Sequence, residues 1–453
     1  MQILYRFSPK SGHNSVILFL MLISFHTLGC KLNFAETSAI GKVLIERGHR
    51  RAGKSDIADI CVINTCSVTD AADHKGRQLI HRLHRENPNA TIIVTGCYAQ
   101  LQPEEIAEID GVDYVIGNNE KFDIANIIDE IEKANKQPLS VQPQQKSTIS
   151  ESQIHISSIR QSDIFHPSLS STDRTRCFLK VQDGCNYFCT YCTIPMARGK
   201  SRNPEIRNIV EMAQQAIASG MKEIVLTGVN IGDFGRSTGE TFFDLIRALD
   251  SIDGNIRYRI SSIEPNLLSD EIIDFVAKSR HFTPHFHIPL QSGTDEMLRL
   301  IKRRYDTSLF SERIAHIKSV MPHAFIGVDV MVGLRGETPE LFELCRQYID
   351  SLEISQLHVF TYSERANTKM LEVEYVVPAK ERKRRSDILH KLSTEKLQHF
   401  YASQKGRKAT VLWEGKQQNE NGQTMMSGFT ENYIRVMAPY NKQKINTFEE
   451  III

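Results

Sequence analysis

The regular alternation of short apolar runs with longer amphipathic segments is the feature that most constrains how this chain can fold. From Met21 to about Ala134, apolar runs typical of strands alternate with segments of helical periodicity. The same alternation resumes near Thr175 and continues through six further strands. Strands and helices in rotation form βαβ units, which build parallel sheets. The sequence therefore predicts an α/β protein with two such regions.

The predicted elements divide the chain into an N-terminal domain (21–134), a linker (135–172), a central domain (173–403) and a C-terminal domain (404–453). The predicted N-terminal strands are 21–27, 58–64, 91–95 and 112–116, and the predicted helices are 34–47, 69–85, 103–109 and 122–131. The predicted central strands are 178–182, 223–227, 257–263, 285–290, 325–332 and 356–361, a number that fits a partial (β/α)6 barrel. Gln, Ser and Pro mark the linker. Short runs at 409–414, 423–429 and 433–437 predict a small all-β domain.

The N-terminal residues allow two interpretations. Basic residues before the apolar run 16–23 resemble a signal peptide, and Leu28-Gly-Cys30 resembles a lipoprotein cleavage site. The polar residues that alternate through 24–27 and the helical pattern that follows favour a strand instead. We therefore expect residues 1–20 to be a leader or an over-extended reading frame, with Met21 as the true start. No segment is long and apolar enough to span a bilayer.

Three closely spaced cysteines follow the first central strand. Cys185, Cys189 and Cys192 are separated by three and then two residues, and soft thiolates at this spacing can hold three corners of an iron–sulfur cluster. A structural zinc site normally needs four ligands, and no second cysteine pair lies nearby. Disulfides are the weaker alternative, because nine cysteines in 453 residues are far fewer than in a disulfide-rich scaffold. The spacing favours a cluster with one iron left open.

A second set of three cysteines follows three predicted N-terminal strands. Cys30, Cys66 and Cys97 each lie just beyond a strand, in loops rich in small residues. Ligands of parallel sheets bind beyond the carboxyl ends of the strands, so these thiols can converge on one point. Singly, each could be a small buried residue. Together they favour a second three-cysteine cluster, whereas Cys61, Cys177 and Cys345 are predicted to be core residues.

These motifs resemble those of the radical S-adenosylmethionine (SAM) methylthiotransferases, and the resemblance covers almost the whole chain. It implies a [4Fe-4S] cluster on Cys185, Cys189 and Cys192 whose open iron binds SAM, and a second [4Fe-4S] cluster on Cys30, Cys66 and Cys97. The catalytic role falls to the first three cysteines. The stretch Gly29-Cys-Lys-Leu-Asn-Phe-Ala-Glu-Thr37 is most similar to the branch that acts on threonylcarbamoyladenosine in tRNA. The isopentenyladenosine branch more often has Gly-Cys-Gln-Met-Asn there, and the ribosomal-protein branch has Gly-Cys-Pro-Lys-Asn.

Polar residues recur at the carboxyl ends of the central strands, where barrels and α/β sheets place their sites. By resemblance, these segments contact SAM, and Tyr191 lines the adenine side of the site. For each of them a turn or helix cap is the structural alternative, and for His287 a core histidine with a satisfied hydrogen bond. The predicted cofactor-binding residues are Tyr191, Thr227, Gly228, Asn230, Ser262, Glu264, His287, Gln291 and Gly333.

Local groups of basic residues suggest an RNA partner. The net charge is only +1, so a nucleic-acid site must be a patch. The helical run that begins with Glu381-Arg-Lys-Arg-Arg385 and the C-terminal domain, which resembles the RNA-binding TRAM module, are candidates. Further basic groups expected near the barrel mouth are Arg202, Arg207, Lys302, Arg303 and Arg304. For any single one, a solvated helix face is the alternative.

The resemblance implies a cytoplasmic tRNA methylthiotransferase that inserts a methylthio group at C2 of N6-threonylcarbamoyladenosine in the anticodon stem-loop. The radical would arise by reductive cleavage of one SAM molecule, and a second SAM would donate the methyl group. The alternatives within the class are isopentenyladenosine in tRNA and an aspartate of a ribosomal protein. From other classes, an RNA-binding iron–sulfur electron-transfer protein and an inactive RNA-binding scaffold remain open. The sequence identifies no sulfur source and no electron donor.

Overall fold

The computed structural model of the chain describes residues 20–53, 55–135, 152–159, 162–170, 175–418 and 421–453. Apart from Leu20, the predicted leader lies outside these residues. Within them, no helix has the length and apolar character that crossing a membrane requires.

The N-terminal domain is a six-stranded parallel sheet with the strand order β2-β1-β3-β4-β5-β6. Its strands are β1 (Leu22–Thr27), β2 (Arg50–Arg51), β3 (Ile60–Thr65), β4 (Thr91–Gly96), β5 (Tyr114–Ile116) and β6 (Gln153–His155). Its helices are α1 (Lys31–Glu46), α2 (Asp70–Glu86), α3 (Cys97–Leu101), α4 (Pro103–Ala107) and α5 (Ile124–Asn135). The parallel sheet confirms the predicted class. The short strand β2 was not predicted, and β6 lies within the segment predicted to be a linker.

The central domain has six parallel strands in two hydrogen-bonded groups, β7-β8-β9 and β10-β11-β12. Two single bridges, Tyr258 to Phe282 and Ser262 to His287, join the groups into one partial barrel, as predicted. The strands are β7 (Arg176–Lys180), β8 (Glu223–Thr227), β9 (Arg257–Ile260), β10 (His285–Gln291), β11 (Phe325–Val332) and β12 (Gln356–Thr361). The helices are α6 (Ile194–Arg198), α7 (Ile206–Ala218), α8 (Phe242–Asp250), α9 (Asp270–Lys278), α10 (Asp295–Leu300), α11 (Thr307–Val320), α12 (Pro339–Ser351) and α13 (Ala379–Ser403).

Alternating residues of the barrel strands separate an outer core from an inner face. On β10, Phe286, Ile288 and Leu290 belong to the core shared with the surrounding helices. Because side chains alternate along a strand, His285 and His287 face the barrel interior. Helix α1 of the N-terminal domain packs on the inner faces of β7 and β8, through the cluster of Phe34, Ala35, Phe178 and Val225. The N-terminal domain therefore covers part of the barrel interior.

The C-terminal domain is an antiparallel sheet that packs against the beginnings of the barrel strands. Its strands are β13 (Lys408–Gln418), β14 (Thr424–Thr430), β15 (Arg435–Pro439) and β16 (Phe448–Ile452), in the order β15-β14-β13-β16. Strand β16 is absent from the three predicted runs. The Arg257 guanidinium donates to the Phe429 carbonyl oxygen (2.9 Å), and Arg259 donates to that of Glu431 (3.1 Å). Tyr433 packs on His285 with ring centroids 4.8 Å apart. This sheet closes one end of the barrel, which we call the barrel floor.

We expect Glu223→Gln to destabilise the contact between the barrel and the C-terminal sheet. Glu223 is fully buried and accepts hydrogen bonds from both Arg257 and Arg259, the latter at 3.0 Å. Removing its charge leaves two buried guanidinium groups without their carboxylate, which typically costs about 3–5 kcal/mol. The thermal midpoint should fall, and limited proteolysis should cut the C-terminal sheet earlier. The matched control is Glu395→Gln, which breaks only an exposed pair with Lys391. Equal thermal midpoints and equal rates of proteolysis in the two variants would contradict this role of Glu223.

Candidate active site

The first cysteine triad lies on a tightly folded loop between β7 and α6. Gly184 has φ +68°, and a Cβ there would lie 1.9 Å from the carbonyl oxygen of Lys200, so the loop requires glycine at this position. The Cys185 amide donates to the Gly199 carbonyl oxygen (3.0 Å), and the Cys192 amide donates to that of Cys189 (3.1 Å). These bonds bring the cysteines to one side of the loop. All three line a single cavity of about 380 Å³.

Each sulfur of this triad accepts one N–H donor. The Tyr187 amide donates to Cys185 Sγ (3.3 Å), the Ile194 amide to Cys192 Sγ (3.4 Å), and Arg303 Nη1 to Cys189 Sγ (3.2 Å). Donors aimed at sulfur stabilise thiolates, which are the ligands of iron–sulfur clusters. The donor set therefore fits a thiolate-bound group.

The electrostatics of the loop also fit a group that brings positive charge. Burial, followed by the neighbouring Cys189, raises the pKa of the Cys192 thiol to about 12. Burial is likewise the main cause that raises the pKa of Cys185. Thiols in such surroundings ionise when a metal supplies the compensating charge. Among the described residues that line the cavity there is no fourth cysteine, no histidine and no carboxylate. Three thiolates suit a cluster with one open iron better than a closed zinc site.

The second triad gathers where three strands of the N-terminal sheet end. Cys30 caps α1 after β1, Cys66 follows β3, and Cys97 begins α3 after β4. A Cβ on Gly29 would lie 2.5 Å from Cys66 Cβ, so the first two loops touch. Burial is the main cause that raises the pKa of the Cys66 thiol to about 12, and Cys97 and Cys30 contribute in that order, as expected for three adjacent thiols. Cys66 and Cys97 are buried, and Cys30 is exposed.

The remaining cysteines are core residues, as predicted. Cys61 and Cys177 have no exposed surface, and Cys345 is 2% exposed. No disulfide joins any two of the nine cysteines in the structure.

A buried network of charges joins the two triads. Glu36 of α1 accepts from Lys180 of β7 (2.8 Å), from Arg198 of α6 (3.0 Å) and from Lys121. Asp183 pairs with Lys180 (2.7 Å), Arg198 (3.0 Å) and Arg202 (3.1 Å). All six side chains are at most 7% exposed.

This network also extends to Cys97 of the second triad. Asn118 donates to the carbonyl oxygen of Ala197 in the other domain (2.7 Å) and lies 3.9 Å from Cys97 Sγ. The two carboxylates attract Arg198 strongly enough to raise its pKa further, in spite of burial. The four cations of the network outnumber its two carboxylates. The surplus positive charge beside the second triad favours an anionic occupant, such as a cluster held by three thiolates.

A second cavity, of about 200 Å³, lies between the loops of the two triads. The N-terminal domain contributes Val68 and Thr69, which follow Cys66, and the central domain contributes Tyr191 and Cys192. The carboxyl ends of the barrel strands complete it. They supply Gln291, Asp329, Met331, Phe360, Thr361, Tyr362 and Ser363. We call this space the interdomain cavity.

The predicted SAM-binding residues are distributed around the carboxyl ends of the barrel strands. Tyr191 and Gln291 line the interdomain cavity. Thr227, Gly228 and Asn230 form the end of β8 and the loop that follows it. Gln182 fixes this loop, because its Oε1 accepts from the Val229 and Asn230 amides, both at 2.9 Å. The Ser261 hydroxyl beside predicted Ser262 is buried without a hydrogen-bond partner among the described residues, which suits a polar ligand.

The other predicted contacts already have partners within the protein. Glu264 pairs with Arg303, and His287 Nε2 lies 2.6 Å from Asp329 Oδ1. Gly333 has φ +76°, and a Cβ there would lie 2.3 Å from Arg382 Cγ of α13. Packing alone therefore explains the glycine. Direct contact of these three residues with SAM stays a prediction.

Two arginines expected to face RNA are instead buried. The Arg202 side chain is 7% exposed and pairs with Asp183, and that of Arg303 is 4% exposed and pairs with Glu264. The expectation was wrong for both, because their carboxylate partners are distant in sequence. Arg385, at the end of the basic run, is likewise buried against Glu337.

Several residues of the site were not predicted as site residues. They are Glu36, Lys121, Lys180, Asp183, Arg198 and Asp329, together with His358, which lies opposite Asp329 in the strand register. One signal was available for Asp329 and His358: each is a polar residue within an apolar strand run. Lys180 gave the same signal, because it lies within the predicted strand 178–182. Glu36, Lys121, Asp183 and Arg198 gave none, since charges in loops and helices are normally solvated.

Known proteins resemble both halves of this arrangement. The model of the "Uncharacterized protein family UPF0004" matches residues 22–117, and that of the "Radical SAM superfamily" matches residues 179–348. A solved structure of the radical SAM methyltransferase TsrM from Kitasatospora setae, with tryptophan and a SAM analogue bound, has a TM-score of 0.54 at 13% identity. That alignment covers 75% of this chain and 73% of TsrM. It supports the fold alone.

Curated relatives extend over nearly the full length. The threonylcarbamoyladenosine tRNA methylthiotransferase MtaB of Bacillus subtilis (strain 168) is 37% identical over 437 residues, covering 95% of this chain and 93% of the relative. The MtaB of Aquifex aeolicus (strain VF5) is 34% identical, covering 88% of this chain and 95% of the relative. A tRNA-2-methylthio-N(6)-dimethylallyladenosine synthase of Desulfitobacterium hafniense (strain Y51) is 28% identical, covering 94% and 93%.

The partial barrel and its cysteine loop thus define a radical SAM enzyme, which uses SAM and a [4Fe-4S] cluster. Within that class, the chain belongs to the MtaB family of threonylcarbamoyladenosine tRNA methylthiotransferases.

We expect Arg303→Met to lower the reduction potential of the cluster at the first triad. Arg303 brings a positive charge and an N–H donor to Cys189 Sγ, and both stabilise the more negative, reduced state. Losing a charge-assisted hydrogen bond of about 1.5 kcal/mol corresponds to a shift of roughly 60 mV for one electron. A redox titration followed by electron paramagnetic resonance measures it. Arg304→Met is the control, because Arg304 contacts the Asn186 carbonyl oxygen and no sulfur. Equal potentials in both variants would contradict the role of Arg303.

Proposed function

We propose that this enzyme inserts a methylthio group at C2 of N6-threonylcarbamoyladenosine, next to the anticodon of tRNA. The observation that carries the proposal is the interdomain cavity, which Val68 and Thr69 border on one side and Tyr191 and Cys192 on the other. A substrate atom there lies beside Cys192 of the first triad and beside the loop that follows Cys66 of the second. The relatives of 34–37% identity supply the substrate by their names.

The proposal includes a second [4Fe-4S] cluster on Cys30, Cys66 and Cys97. Their adjacency and the surplus positive charge of the buried network support it. Cys185, Cys189 and Cys192 would hold the cluster that, with SAM and one electron from a reductant, would supply radical chemistry at C2, and Cys30, Cys66 and Cys97 would hold the cluster that would supply the sulfur. A second SAM is the methyl donor. We assign the enzyme to the cytoplasm, because thiolate ligands need a reducing compartment.

The residues of the chain keep the reaction space closed and ordered. Helix α1 covers the inner face of the barrel through Phe34 and Phe178, and the salt bridge between Glu36 and Arg198 holds the two triad loops together. Tyr191 is half-buried, packs against the barrel core and lines the interdomain cavity beside Cys192, where it limits the access of water to the cluster loop. A dry and rigid enclosure limits side reactions of a radical and aligns donor with acceptor.

We further propose that the C-terminal sheet binds the anticodon stem-loop as a TRAM-like module. Lys405, Lys408, Lys416 and Lys442 are exposed in this part of the chain. Lysines on a sheet surface suit phosphate contacts, which give affinity without reading sequence. Binding to tRNA should therefore weaken steeply with salt.

The nucleoside profile of tRNA tests the substrate. Mass spectrometry of a deletion strain should show loss of 2-methylthio-N6-threonylcarbamoyladenosine and accumulation of the unthiolated nucleoside, and the cloned gene should restore the product. An unchanged profile in a strain with no second enzyme of this type would rule out the substrate. Loss of the isopentenyladenosine product would favour that alternative, and a lost modification of a ribosomal-protein aspartate would favour the other.

Replacing one cysteine in each triad should separate two activities. Cys185→Ala should abolish formation of 5'-deoxyadenosine from SAM, because it removes a ligand of the SAM-binding cluster. Cys66→Ala should retain SAM cleavage and lose methylthio insertion. Anaerobic assays with dithionite measure both products. Cys61→Ala, a buried cysteine outside both triads, is the control and should keep both activities. A wild-type protein that forms no 5'-deoxyadenosine would instead favour an electron-transfer protein.

A further inference from the structure

The barrel floor carries one cation that the protein leaves unpaired. Arg176 pairs with Glu414 (2.6 Å), and Arg257 and Arg259 share Glu223. Lys31, the first residue of α1, has no hydrogen bond or ion pair within the described part of the chain. It is exposed, although α1 lies inside the barrel.

The electrostatic neighbours of Lys31 place its ammonium group in the barrel interior. They all come from the barrel strands or the C-terminal sheet: Arg176, Glu223, Arg259, His285, His358 and Tyr433. The solvent that reaches Lys31 is therefore inside the barrel. An ammonium group that faces this interior space without a partner is available to pair with a ligand that brings the opposite charge.

The floor as a whole has a surplus of positive charge. Lys31 and three arginines outnumber the two carboxylates that pair there, Glu223 and Glu414. Two other groups respond to this surplus. Arg176 and Lys31 help to lower the pKa of Tyr433 against the effect of its burial, and burial, with Arg259 and Lys31, keeps the pKa of His285 well below its usual value. His285 Nδ1 is also buried without a hydrogen-bond partner among the described residues.

A polar path connects this floor to the interdomain cavity. Asp329 lines the cavity, and its Oδ1 lies 2.6 Å from His287 Nε2, so one carboxylate oxygen already has a partner within the protein. His358 lies opposite Asp329 in the strand register, and its ring is 5.1 Å from that of His287. His358 in turn neighbours Lys31. A substituent on a base in the cavity can therefore extend along these side chains to Lys31.

We propose that Lys31 binds the carboxylate of the threonylcarbamoyl group and so selects this substrate. The inference rests on the proposed function, because it concerns the substituent of the base that is thiolated. N6-threonylcarbamoyladenosine ends in an α-carboxylate, whereas the isopentenyl group carries no charge. An ammonium group complements the first and stays unpaired beside the second. A site built to pair with a charged group rejects analogues that lack it.

The test compares three lysine variants on two substrates. Lys31→Gln removes the charge, Lys31→Arg keeps it, and Lys42→Gln alters an exposed lysine elsewhere on α1 as the matched control. The substrates are an anticodon stem-loop with N6-threonylcarbamoyladenosine and the same RNA with the carboxylate converted to the primary amide. Iron content and 5'-deoxyadenosine formation without RNA show whether each variant holds its clusters.

For Lys31→Gln we expect kcat/KM on the acid substrate to fall about 10- to 100-fold, the effect of losing one charge-assisted contact. On the amide substrate, kcat/KM of the wild type should fall by a similar factor relative to the acid. For Lys31→Gln, kcat/KM on the amide should be little lower than its value on the acid. Lys31→Arg should stay within about fivefold of wild type on the acid, because either cation makes a charge-assisted hydrogen bond to a carboxylate. Lys42→Gln should match wild type. Cluster content and RNA-independent SAM cleavage should be unchanged throughout.

Three results would overturn the inference alone. Wild-type kcat/KM in Lys31→Gln would show that the carboxylate does not need Lys31. If Lys31→Gln lowered kcat/KM by the same factor on the acid and on the amide, relative to wild type, the effect would be structural. Loss of clusters in both Lys31→Gln and Lys31→Arg would place Lys31 in the support of Cys30. Wild-type enzyme that thiolates neither substrate would overturn the proposed function itself, and this inference with it.

Discussion

The buried contact between Glu36 and Arg198 is the interaction on which the arrangement of the site depends. Glu36 lies six residues after Cys30, and Arg198 lies six residues after Cys192, so one salt bridge ties a loop of each triad to the other. Neither charge has access to solvent, and breaking one partner would leave the other uncompensated. The pair therefore penalises any relative movement of the two domains. That rigidity matters because radical chemistry tolerates little error in the position of the acceptor.

The same network explains why the charges are unequal. Lys121, Lys180, Arg198 and Arg202 surround only two carboxylates. A buried excess of cations is unfavourable by itself, but three ligating thiolates beside it bring negative charge. Burial raises the pKa of Cys66 and thereby opposes ionisation, whereas Arg198 favours it. The interdomain contact and the second cluster site thus support each other, and the folded state of one depends on the other.

Sequence reasoning reached the parts of the structure that local patterns determine. The predicted strands 223–227, 325–332 and 356–361 coincide with β8, β11 and β12, because apolar runs bounded by polar residues mark buried parallel strands. The spacing of Cys185, Cys189 and Cys192 predicted the first triad, and the positions of Cys30, Cys66 and Cys97 after three strands predicted the second. Strands β2 and β6 were not predicted, because they are exposed and only two and three residues long, too short to form an apolar run. The burial of Glu36 and Arg198 escaped as well, because each charge finds its partner 162 residues away.

The C-terminal sheet lies at one end of the barrel and the interdomain cavity at the other, so the proposed contacts with RNA are divided between them. The C-terminal sheet closes the floor and α1 covers part of the inner face, so the interdomain cavity is a confined space at the opposite end of the barrel. At about 200 Å³ it is smaller than a typical ligand pocket of roughly 300–1,000 Å³. A base can enter such a space only when it is unstacked and turned out of its strand, which is easiest in a loop. In the proposed function, the cavity and Lys31 therefore read the nucleoside, and the exposed lysines of the C-terminal sheet hold the RNA backbone.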